Sequence, residues 1–533
     1  MLNNLPNSDI LVETGGELVI SGENIEIKSL NVQDGATVTM SEGYGLRIEN
    51  DLYTDGLFSM SSSSTEYSSL IVEGASSGEI NYDRYVNEYS DNQTDNPQWD
   101  LVGSPVEGQP IDLFAIMNAE SGNLVTAPNL NDGSTYYGIG PFDNSLSSGW
   151  PSVYDSNTIP STNFPICSGY QMATVSGGAV LTFSGSLASV PQTKTITDNS
   201  YSGGTQWNLI ANPFPSYLNL NSAADATNNF ITENGLSVYG WSATTSGYTV
   251  YNNVSPTPDA SYIAPGQGFF VGAGNGTTSV NFTAGMRTTL GGDDFVAGRL
   301  SGSYTYFYLD MLNQNGNSID NSMFYFDDNM THGYDQGYDA ESFDQSSSLM
   351  SRLLNGYEGI GMQVNAMPTS SLDDSTIVPL DINRLAGTAF TISLGDSFNI
   401  PADVDIYLED REEQTFTDLK NGDFSITPTT NLSGTGRFYL VFGTNSLGSD
   451  DFDMSHINAY KPFNADHLVI EGLFNIETAS VSMYNIIGQE VLNVKLNANQ
   501  AIEKVSTLGM NAGVYIVNIQ ADNNTITKKI IIN

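Results

Sequence analysis

The sequence predicts an all-β protein with many turns. Its 533 residues include 52 glycines, are rich in Ser, Thr, Asn, Tyr and Val, and show many short runs in which apolar and polar residues alternate. Helical spacing is scarce and is limited to three short segments, Ile111–Glu120, Ser222–Asn234 and Ser346–Leu354. At about 150 residues per domain, the length suggests three or four domains.

The first region, residues 1–82, predicts a β-solenoid-like segment. Gly16, Gly35, Gly56 and Gly78 each open a run of alternating apolar residues. They recur roughly every 20 residues, which suits one coil of a solenoid that stacks its apolar face on the next coil. A flat antiparallel sheet would give a looser version of this pattern, and the solenoid is favoured.

Residues 83–292 contain an internal duplication, with copies at about 83–190 and 191–292. In each copy a strand that begins with tryptophan runs into a proline, which ends the strand because proline cannot donate a ladder hydrogen bond. The pattern predicts paired β-sandwich domains or one pseudo-symmetric β-domain. Because apolar residues share these strands, Trp99 and Trp207 are interpreted as core anchors rather than sugar-stacking platforms. The matching segments are 99–105 (WDLVGSP) with 207–213 (WNLIANP), 168–172 (SGYQM) with 267–271 (QGFFV), and 181–185 (LTFSG) with 280–285 (VNFTAG).

The remaining chain divides into three parts. Residues 293–445 predict another β-sandwich, because segments such as 303–309 and 404–408 alternate with period two. The polar stretch 446–462 is interpreted as a linker, and 463–533 as a compact final domain of short strands. In that domain Gly488 and Gly513 are expected to take the positive φ of hairpin turns, and the last strand, Ile526–Ile532, carries a lysine pair on a predicted sheet edge.

This tail resembles the type A C-terminal sorting domain of Bacteroidetes proteins that are exported by the type IX secretion system. The resemblance rests on residues 481–485 with 488–489, on 508 with 512–517, and on 528–531. One departure is that the family usually opens with Pro-Asn-Pro-Ala, where this chain has residues 460–465 (YKPFNA). The resemblance implies an Ig-like β-sandwich that directs export to the cell surface and is read by a PorV-type outer-membrane shuttle barrel and the translocon. The implied sorting-signal residues are Tyr484, Gly488, Gly513, Val514, Tyr515, Lys528 and Lys529.

Charge separates this tail from the rest of the chain. The net charge is −44, which opposes binding to the phosphates of nucleic acid. The tail, with four Lys against six Asp and Glu, is nearly neutral. The pattern favours an acidic cargo joined to a domain that docks on another surface.

The sequence also bears on compartment. No apolar run reaches the roughly 18 residues of a transmembrane helix, so no transmembrane segment is expected. Cys167 is the only cysteine, which excludes an intrachain disulfide, and it is interpreted as a buried apolar residue. The N-terminus lacks the pattern of a signal peptide, which type IX cargo needs, so the numbering is expected to begin after its removal or on a version of the chain made without it.

Few patterns point to chemistry. The three histidines lack metal-ligand spacing, and neither a Gly-x-Ser-x-Gly elbow nor a P-loop occurs. Asp410 with Glu412 or Glu413 is a candidate carboxylate pair for glycoside hydrolysis. The segment 374–376 (DST) is similar to the O-glycosylation site of these bacteria. The densest polar cluster offers oxygen ligands for Ca²⁺, although aspartates in turns have the same appearance; it contains Asp327, Asp328, Asp335 and Asp339, with Asn329 and Glu341.

These observations favour a non-enzymatic protein of the cell surface or extracellular space. Its expected role is adhesion, surface structure or gliding, and its expected partners besides the export machinery are surface glycans or other cell-surface proteins. No cofactor is expected, apart from Ca²⁺ at the acidic cluster. The alternative is an extracellular protein that binds or degrades polysaccharide.

Overall fold

The structure is a computed structural model of the chain, and it falls into two compact units, Met1–Ser301 and Gly302–Asn533. It is nearly all β, as the sequence predicts. The residues it describes are 5–88, 99–220, 237–242, 247–252, 262–273, 278–289, 291–292, 305–356, 359–373, 376–443, 457–461, 466–471, 473, 478–497, 502–521 and 524–532.

The N-terminal region is a parallel β-solenoid. On one face β2, β4 and β7 stack in parallel and in register, with Glu17 opposite Thr37 and Thr37 opposite Leu57. On the other face β3 pairs in parallel with β1, β5 and β6. Parallel stacking confirms the solenoid, because a meander would pair its strands antiparallel. The strands are β1 (Leu5–Val12), β2 (Glu17–Ile20), β3 (Ile25–Val32), β4 (Thr37–Met40), β5 (Gly45–Ile48), β6 (Leu52–Thr54), β7 (Leu57–Met60), β8 (Ser69–Val72), β9 (Ser76–Ser77) and β10 (Ile80–Val86).

Two of the repeated glycines are required by close approach between coils. A Cβ on Gly56 would lie 2.5 Å from the carbonyl oxygens of Ala36 and Gln33. Gly78 has φ +91°, and a Cβ there would lie 1.8 Å from the carbonyl oxygen of Thr54. Each coil can therefore close on the coil beneath it only where a side chain is absent.

The described part of the duplicated region consists of short strands and one α-helix. The predicted helix Ile111–Glu120 is confirmed with the same bounds. The elements are β11 (Asp100–Val102), α1 (Ile111–Glu120), β12 (Thr126–Pro128), β13 (Thr135–Tyr137), β14 (Ile139–Pro141), β15 (Tyr170–Met172), β16 (Ala179–Gly185), β17 (Gln192–Thr195), β18 (Trp207–Ala211), β19 (Tyr217–Asn219), β20 (Val238–Ser242), β21 (Gly247–Tyr251), β22 (Tyr262–Ile263), β23 (Gly268–Gly272), β24 (Ser279–Phe282) and β25 (Arg287–Thr288), with 3-10 turns at Ser200–Ser202 and Ala284–Met286.

The two copies share strand pairing as well as sequence. In the first copy β11 pairs with β15, and in the second β18 pairs with β23; Asp100 opposite Met172 corresponds to Asn208 opposite Val271. The pairs β10–β16 and β17–β24 also correspond in register. Because β10 additionally pairs with β7, the first copy shares a sheet and a hydrophobic core with the solenoid.

Two other expectations for the first unit have mixed outcomes. Trp207 is half-buried and packs edge-on against Tyr239 with ring centroids 4.7 Å apart, so it lies at the margin of the core. Trp99 is half-buried as well. The helix predicted at Ser222–Asn234 lies outside the described residues.

In the second unit, residues 305–443 form one sheet that folds over its own core. Ten of its eleven strands follow the order β34-β33-β36-β31-β29-β30-β27-β26-β32-β35, and β28 joins at β30. Phe307 on β26 contacts Phe442 on β36 with centroids 6.1 Å apart, although four strands separate them in the sheet. The strands are β26 (Thr305–Leu312), β27 (Ser318–Phe326), β28 (Ala340–Glu341), β29 (Leu349–Ser351), β30 (Met362–Met367), β31 (Ile377–Ile382), β32 (Phe390–Phe398), β33 (Asp405–Asp410), β34 (Thr415–Asp418), β35 (Phe424–Ile426) and β36 (Phe438–Gly443), with a 3-10 turn at Thr369–Ser371.

The helix predicted at Ser346–Leu354 is wrong. Its centre is β29, which pairs with β30 and β31, and Leu349, Met350 and Ser351 are all fully buried. A strand in the middle of a sheet is buried on both faces, so its apolar run carries no period that separates it from a short helix.

The tail is a seven-stranded sandwich of two sheets, ordered β37-β38-β41 and β40-β39-β42-β43, around one core. Its first strand lies in the stretch interpreted as linker, 446–462, of which 446–456 and 462 are outside the described residues. Its strands are β37 (Asn458–Tyr460), β38 (His467–Glu471), β39 (Ala479–Asn485), β40 (Glu490–Leu496), β41 (Ile502–Ser506), β42 (Gly513–Ala521) and β43 (Asn524–Ile532).

A tail cut at Phe463 should be less stable than one that begins at Ile457. The shorter fragment loses β37 and with it the buried side chains of Ile457 (1% exposed) and Ala459 (2% exposed), so the core residues that they cover become exposed. We expect a cost of about 2–4 kcal/mol from lost apolar burial, visible as a lower midpoint in urea unfolding of the two fragments. Equal midpoints would show that β37 adds nothing to the sandwich.

Candidate functional site

The outward face of the sheet β40-β39-β42-β43 carries an apolar patch. Tyr484 on β39 stands opposite Ile516 on β42, which stands opposite Lys529 on β43. In the neighbouring row Val514 stands opposite Ile531. Ile516 and Ile531 are 37% and 58% exposed, while alternate residues of the same strands are buried. We call these five residues, Tyr484, Val514, Ile516, Lys529 and Ile531, the outer-face patch.

A tight turn extends this patch at the end of β39. Gly488 has φ +79°, as the sequence predicts. The side-chain oxygen of Asn485 accepts the backbone N–H groups of Ile487 (3.2 Å) and Gln489 (3.0 Å) and so fixes the turn. The turn presents Ile486 and Ile487, which are 82% and 80% exposed. Sequence reasoning missed both isoleucines, although two adjacent apolar residues before a turn glycine are a visible signal.

The other implied signal residues do not lie on this face. Tyr515 is buried in the core, and its hydroxyl donates to the backbone oxygen of Asn511 at 2.8 Å. Lys528 stands opposite Val517 on the inner side of the edge strand β43. An inward-pointing charge on an edge strand discourages pairing with another chain.

The expectation that Gly513 takes a positive φ is wrong. Gly513 is the first residue of β42 and stands opposite Ile532, with no left-handed conformation. The left-handed glycine of this loop is Gly509, at φ +86°. β42 begins at Gly513, one residue before Val514, where the alternating pattern places its start.

The predicted acidic cluster is dispersed into local turns. Asp327 accepts the backbone N–H of Asn329 at 2.9 Å, and Asp335 accepts that of Thr331 at 2.6 Å. Asp339 is fully buried, whereas Asp328 is exposed. Within the described ranges, no three His, Cys, Asp or Glu side chains gather closely enough to hold a metal ion.

Burial raises the pKa of Asp339 to about 8, although its carboxylate accepts backbone N–H groups from Asp335 (2.6 Å) and Ala366 (2.7 Å), which lower it. An acid whose pKa is higher in the folded state binds its proton more tightly there, so its contribution to stability falls as pH rises from about 4 to about 8, by at most about 1.4 kcal/mol per pH unit.

Asp339→Asn should remove this dependence. We measure the unfolding free energy of wild type and variant in urea across this pH range. The stability advantage of the wild type should be largest at low pH and should decrease as pH rises. A difference that grows with pH would show that the backbone hydrogen bonds outweigh burial.

The candidate carboxylate pair is part of a buried ion pair. The Asp410 carboxylate accepts two hydrogen bonds from the Arg437 guanidinium, from Nε at 2.8 Å and Nη2 at 2.7 Å. Glu412 contacts the same guanidinium, and its own backbone N–H donates to Asp410 at 3.1 Å. Arg437 directly precedes β36, whose first residue Phe438 stands opposite Asp410 on β33, so only strand pairing reveals it as the partner. Asp410 holds this strand pair and its turn together.

One contact between a serine and a histidine was not foreseen. His332 Nε2 and Ser371 Oγ are 2.7 Å apart. Ser371 is 1% exposed, so a substrate cannot reach its hydroxyl without rearrangement. The residues are far apart in sequence and carry no motif that could have joined them.

Cys167 is buried, as expected, and burial raises the pKa of its thiol to about 12. Of the proposed glycosylation segment, Asp374 and Ser375 lie outside the described residues. Of the helices in the part of the chain that the structure describes, none has the length and hydropathy needed to span a bilayer.

Comparison with known protein families explains the tail. Residues 464–533 match the secretion system C-terminal sorting domain. The chain is therefore a cargo protein of the type IX secretion system, which exports its cargo to the cell surface or the extracellular space. Residues 4–442 match the family described as domain of unknown function DUF8693, and because this match spans most of the chain, the protein belongs to that family.

Solved structures give distant likenesses. One is a two-domain fibronectin type-III segment of chicken tenascin, with 10% identity, a TM-score of 0.13, and coverage of 29% of this chain and 99% of that one. Another is the BSP domain of a biofilm-associated protein, with 9% identity and a TM-score of 0.15. That match covers 84% of this chain, which spans 61% of the other structure. No curated protein matches the chain.

Proposed function

We propose that this exported protein is non-enzymatic and acts at the cell surface in adhesion or surface structure. We further propose that a PorV-type shuttle barrel binds the outer-face patch of its tail. The observation that carries the docking proposal is the exposure of Ile516 and Ile531 beside Lys529 on an otherwise well-packed sandwich. Apolar residues that stay exposed together favour an interaction surface.

The cargo role is supported by how the acidic groups are used. The carboxylates that suggested catalysis or calcium binding, Asp410, Asp335 and Asp339, bond to an arginine or to backbone N–H groups of their own domain. Such carboxylates stabilise turns and strand pairs. A chain of successive β-modules with a net charge of −44 suits a structural or adhesive protein.

Charge placed in the outer-face patch should impair export. In the variant Ile516→Glu with Ile531→Glu, any apolar contact through this face would bury two carboxylates. We expect the secreted fraction to fall roughly tenfold or more, since replacing a hot-spot residue at the centre of an interface costs about 2 kcal/mol or more. The measurement compares the protein in culture medium and cell surface with that in the periplasm.

Thr525→Glu is the matched control. Thr525 is exposed on the outward side of the same strand, away from the patch, and opposite Gln520. This variant should be secreted normally, and both variants should keep wild-type circular dichroism. Normal secretion of the patch variant would contradict docking through this face.

The absence of enzymatic activity is tested separately. Residues 1–443 should give no turnover with a panel of polysaccharides, peptides and esters. Turnover that disappears on replacing Asp410 with Asn, in a protein that remains folded, would favour the polysaccharide-degrading alternative.

A further inference from the structure

The first strand of the first copy is paired on both edges. On one edge β10 pairs with β16, and on the other it pairs in parallel with β7 of the solenoid, with Tyr82 opposite Met60. Past the end of β7, Ser62 of the solenoid region forms hydrogen bonds with backbone groups of β10. The Ser62 hydroxyl donates to the Asp83 carbonyl at 2.7 Å and accepts the Tyr85 N–H at 2.6 Å.

Among the described residues, the equivalent strand of the second copy is paired on one edge. There β17 pairs with β24 alone, and the Ile196 N–H continues that pairing by bonding to the Thr278 carbonyl at 3.0 Å. Alternation along a strand therefore directs the backbone groups of Thr193 and Thr195 to the other edge. Both residues are exposed, and within the described ranges these backbone groups have no partner. They correspond to the Asp83 and Tyr85 groups that Ser62 binds.

The side chains beside this edge also differ between the two copies. Arg84 in the first copy is fully buried, with its guanidinium 4.3 Å from the ring centroid of Tyr67 in the solenoid region. Lys194 occupies the equivalent position in the second copy, where it donates to Ser168 Oγ at 2.6 Å. Lys194 and Thr195 line an open pocket of about 320 Å³. In the first copy, Tyr67 of the solenoid region covers the equivalent side chain, Arg84.

A solenoid strand with an open edge exists in the same chain. β2, the first-coil strand, pairs with β4 alone in the described residues, and it has four residues, as β17 does. The carbonyls of Gly16 and Ile20 accept N–H groups at the β4 edge, so Glu17 and Val19 direct their backbone groups outward. Val19 is 49% exposed, and a groove of about 550 Å³ follows this edge.

We propose that β2 of one molecule adds to β17 of a second copy of this chain. The strands run antiparallel, with Val19 opposite Thr193 and Glu17 opposite Thr195, because these are the residues whose backbone groups face outward on each edge. In the solenoid sheet, β7 pairs with β10 through one edge, and β2 is open at the opposite edge of that sheet. If β2 adds antiparallel to β17, its inward side chain Leu18 lies on the same face of the new sheet as the buried Ile196. If it adds parallel, Leu18 lies on the other face.

This association joins two different surfaces and leaves one free at each end, so it continues head-to-tail, into a ring if the rotation between copies closes and into an open filament if it does not. It goes beyond the proposed function, and it concerns the purified full-length chain, so a failure of export and a failure of assembly are separate results.

Cysteine pairs test the contact and its register. Val19→Cys and Thr193→Cys are prepared as two full-length proteins with different tags, mixed at micromolar concentration and oxidised mildly. Paired residues in an antiparallel ladder have Cα atoms about 5.5 Å apart, within disulfide reach. Native Cys167 is 2% exposed and should not react. We expect a disulfide-linked dimer that contains both tags, and none when Thr525→Cys replaces Thr193→Cys.

Edge variants of the otherwise wild-type chain give a second measurement. Val19→Pro removes an outward N–H, which an edge strand tolerates, and Val19→Lys adds an edge charge without changing the backbone. Either should weaken association in sedimentation velocity at least tenfold. Three outcomes would overturn the proposal. They are cross-linking of Val19→Cys only to itself, capture of β2 by a protein other than this chain, and a monomer at all concentrations in both experiments.

Discussion

A chain that ends at Gly443 should no longer reach the cell exterior. The sorting domain match covers residues 464–533, and the sandwich that contains it begins with β37. Removing the whole sandwich removes the signal, while the core of residues 305–443 contains none of its side chains and should stay intact. We expect the secreted fraction, measured by immunoblot of medium and cell fractions, to fall to the level of a periplasmic marker.

The matched experiment transfers the signal. Residues 457–533 fused to an inert periplasmic reporter should carry that reporter outside, and the same fusion with the Ile516→Glu and Ile531→Glu changes should not. Secretion of the truncated chain at wild-type level would show that the export signal lies elsewhere. Retention of the reporter fusion, with loss of export on truncation, would show that the tail is necessary and that the cargo also contributes.

Asp410→Ala should destabilise the second unit by about 3–5 kcal/mol. The substitution removes the carboxylate that accepts the Nε and Nη2 hydrogens of the buried Arg437 guanidinium and leaves only Glu412, which contacts Nη1. Breaking a buried ion pair by removing one partner has a cost of this size. It also removes the acceptor for the Glu412 N–H in the following turn. Urea unfolding followed by tyrosine fluorescence should show a lower midpoint.

Two companions show whether the charge is the cause. Glu413→Ala changes an exposed residue of the same turn and should stay within about 0.5 kcal/mol of wild type. Replacing both Asp410 and Arg437 by Leu should recover most of the loss, because removing a buried pair together avoids a stranded charge. A cost below 1 kcal/mol for Asp410→Ala would mean that water or Glu412 compensates Arg437.

Much of the fold followed from local patterns. The glycine repeat gave the solenoid because each coil needs a close backbone approach at one fixed place, as Gly56 and Gly78 show. The α1 helix was found with its bounds, since it is an isolated run with helical spacing. The helix predicted at Ser346–Leu354 failed because β29 lies in the interior of a sheet, where burial on both faces erases the alternating pattern.

The candidate site was only half predictable. The matching residues located the sorting tail, but they could not separate Tyr515, which is buried, from Tyr484 and Lys529, which lie on the outward face. That division depends on which side of each strand faces the core. The isoleucines of the outer-face patch were identified only when the strands were paired, whereas Ile486 and Ile487 of the turn carry a local signal in the sequence.

The sequence alone determined the class of structure and the route of export, because period-two alternation, repeated glycines and a compact terminal motif are local properties of the chain. Tertiary structure alone decided the partners: that Asp410 binds Arg437, that Asp339 is enclosed, and that β10 is paired on both edges whereas β17 is paired on one within the described residues. Hydrogen-bond partners and burial depend on residues that are distant in sequence, and a sheet brings them together only when its strand order is fixed.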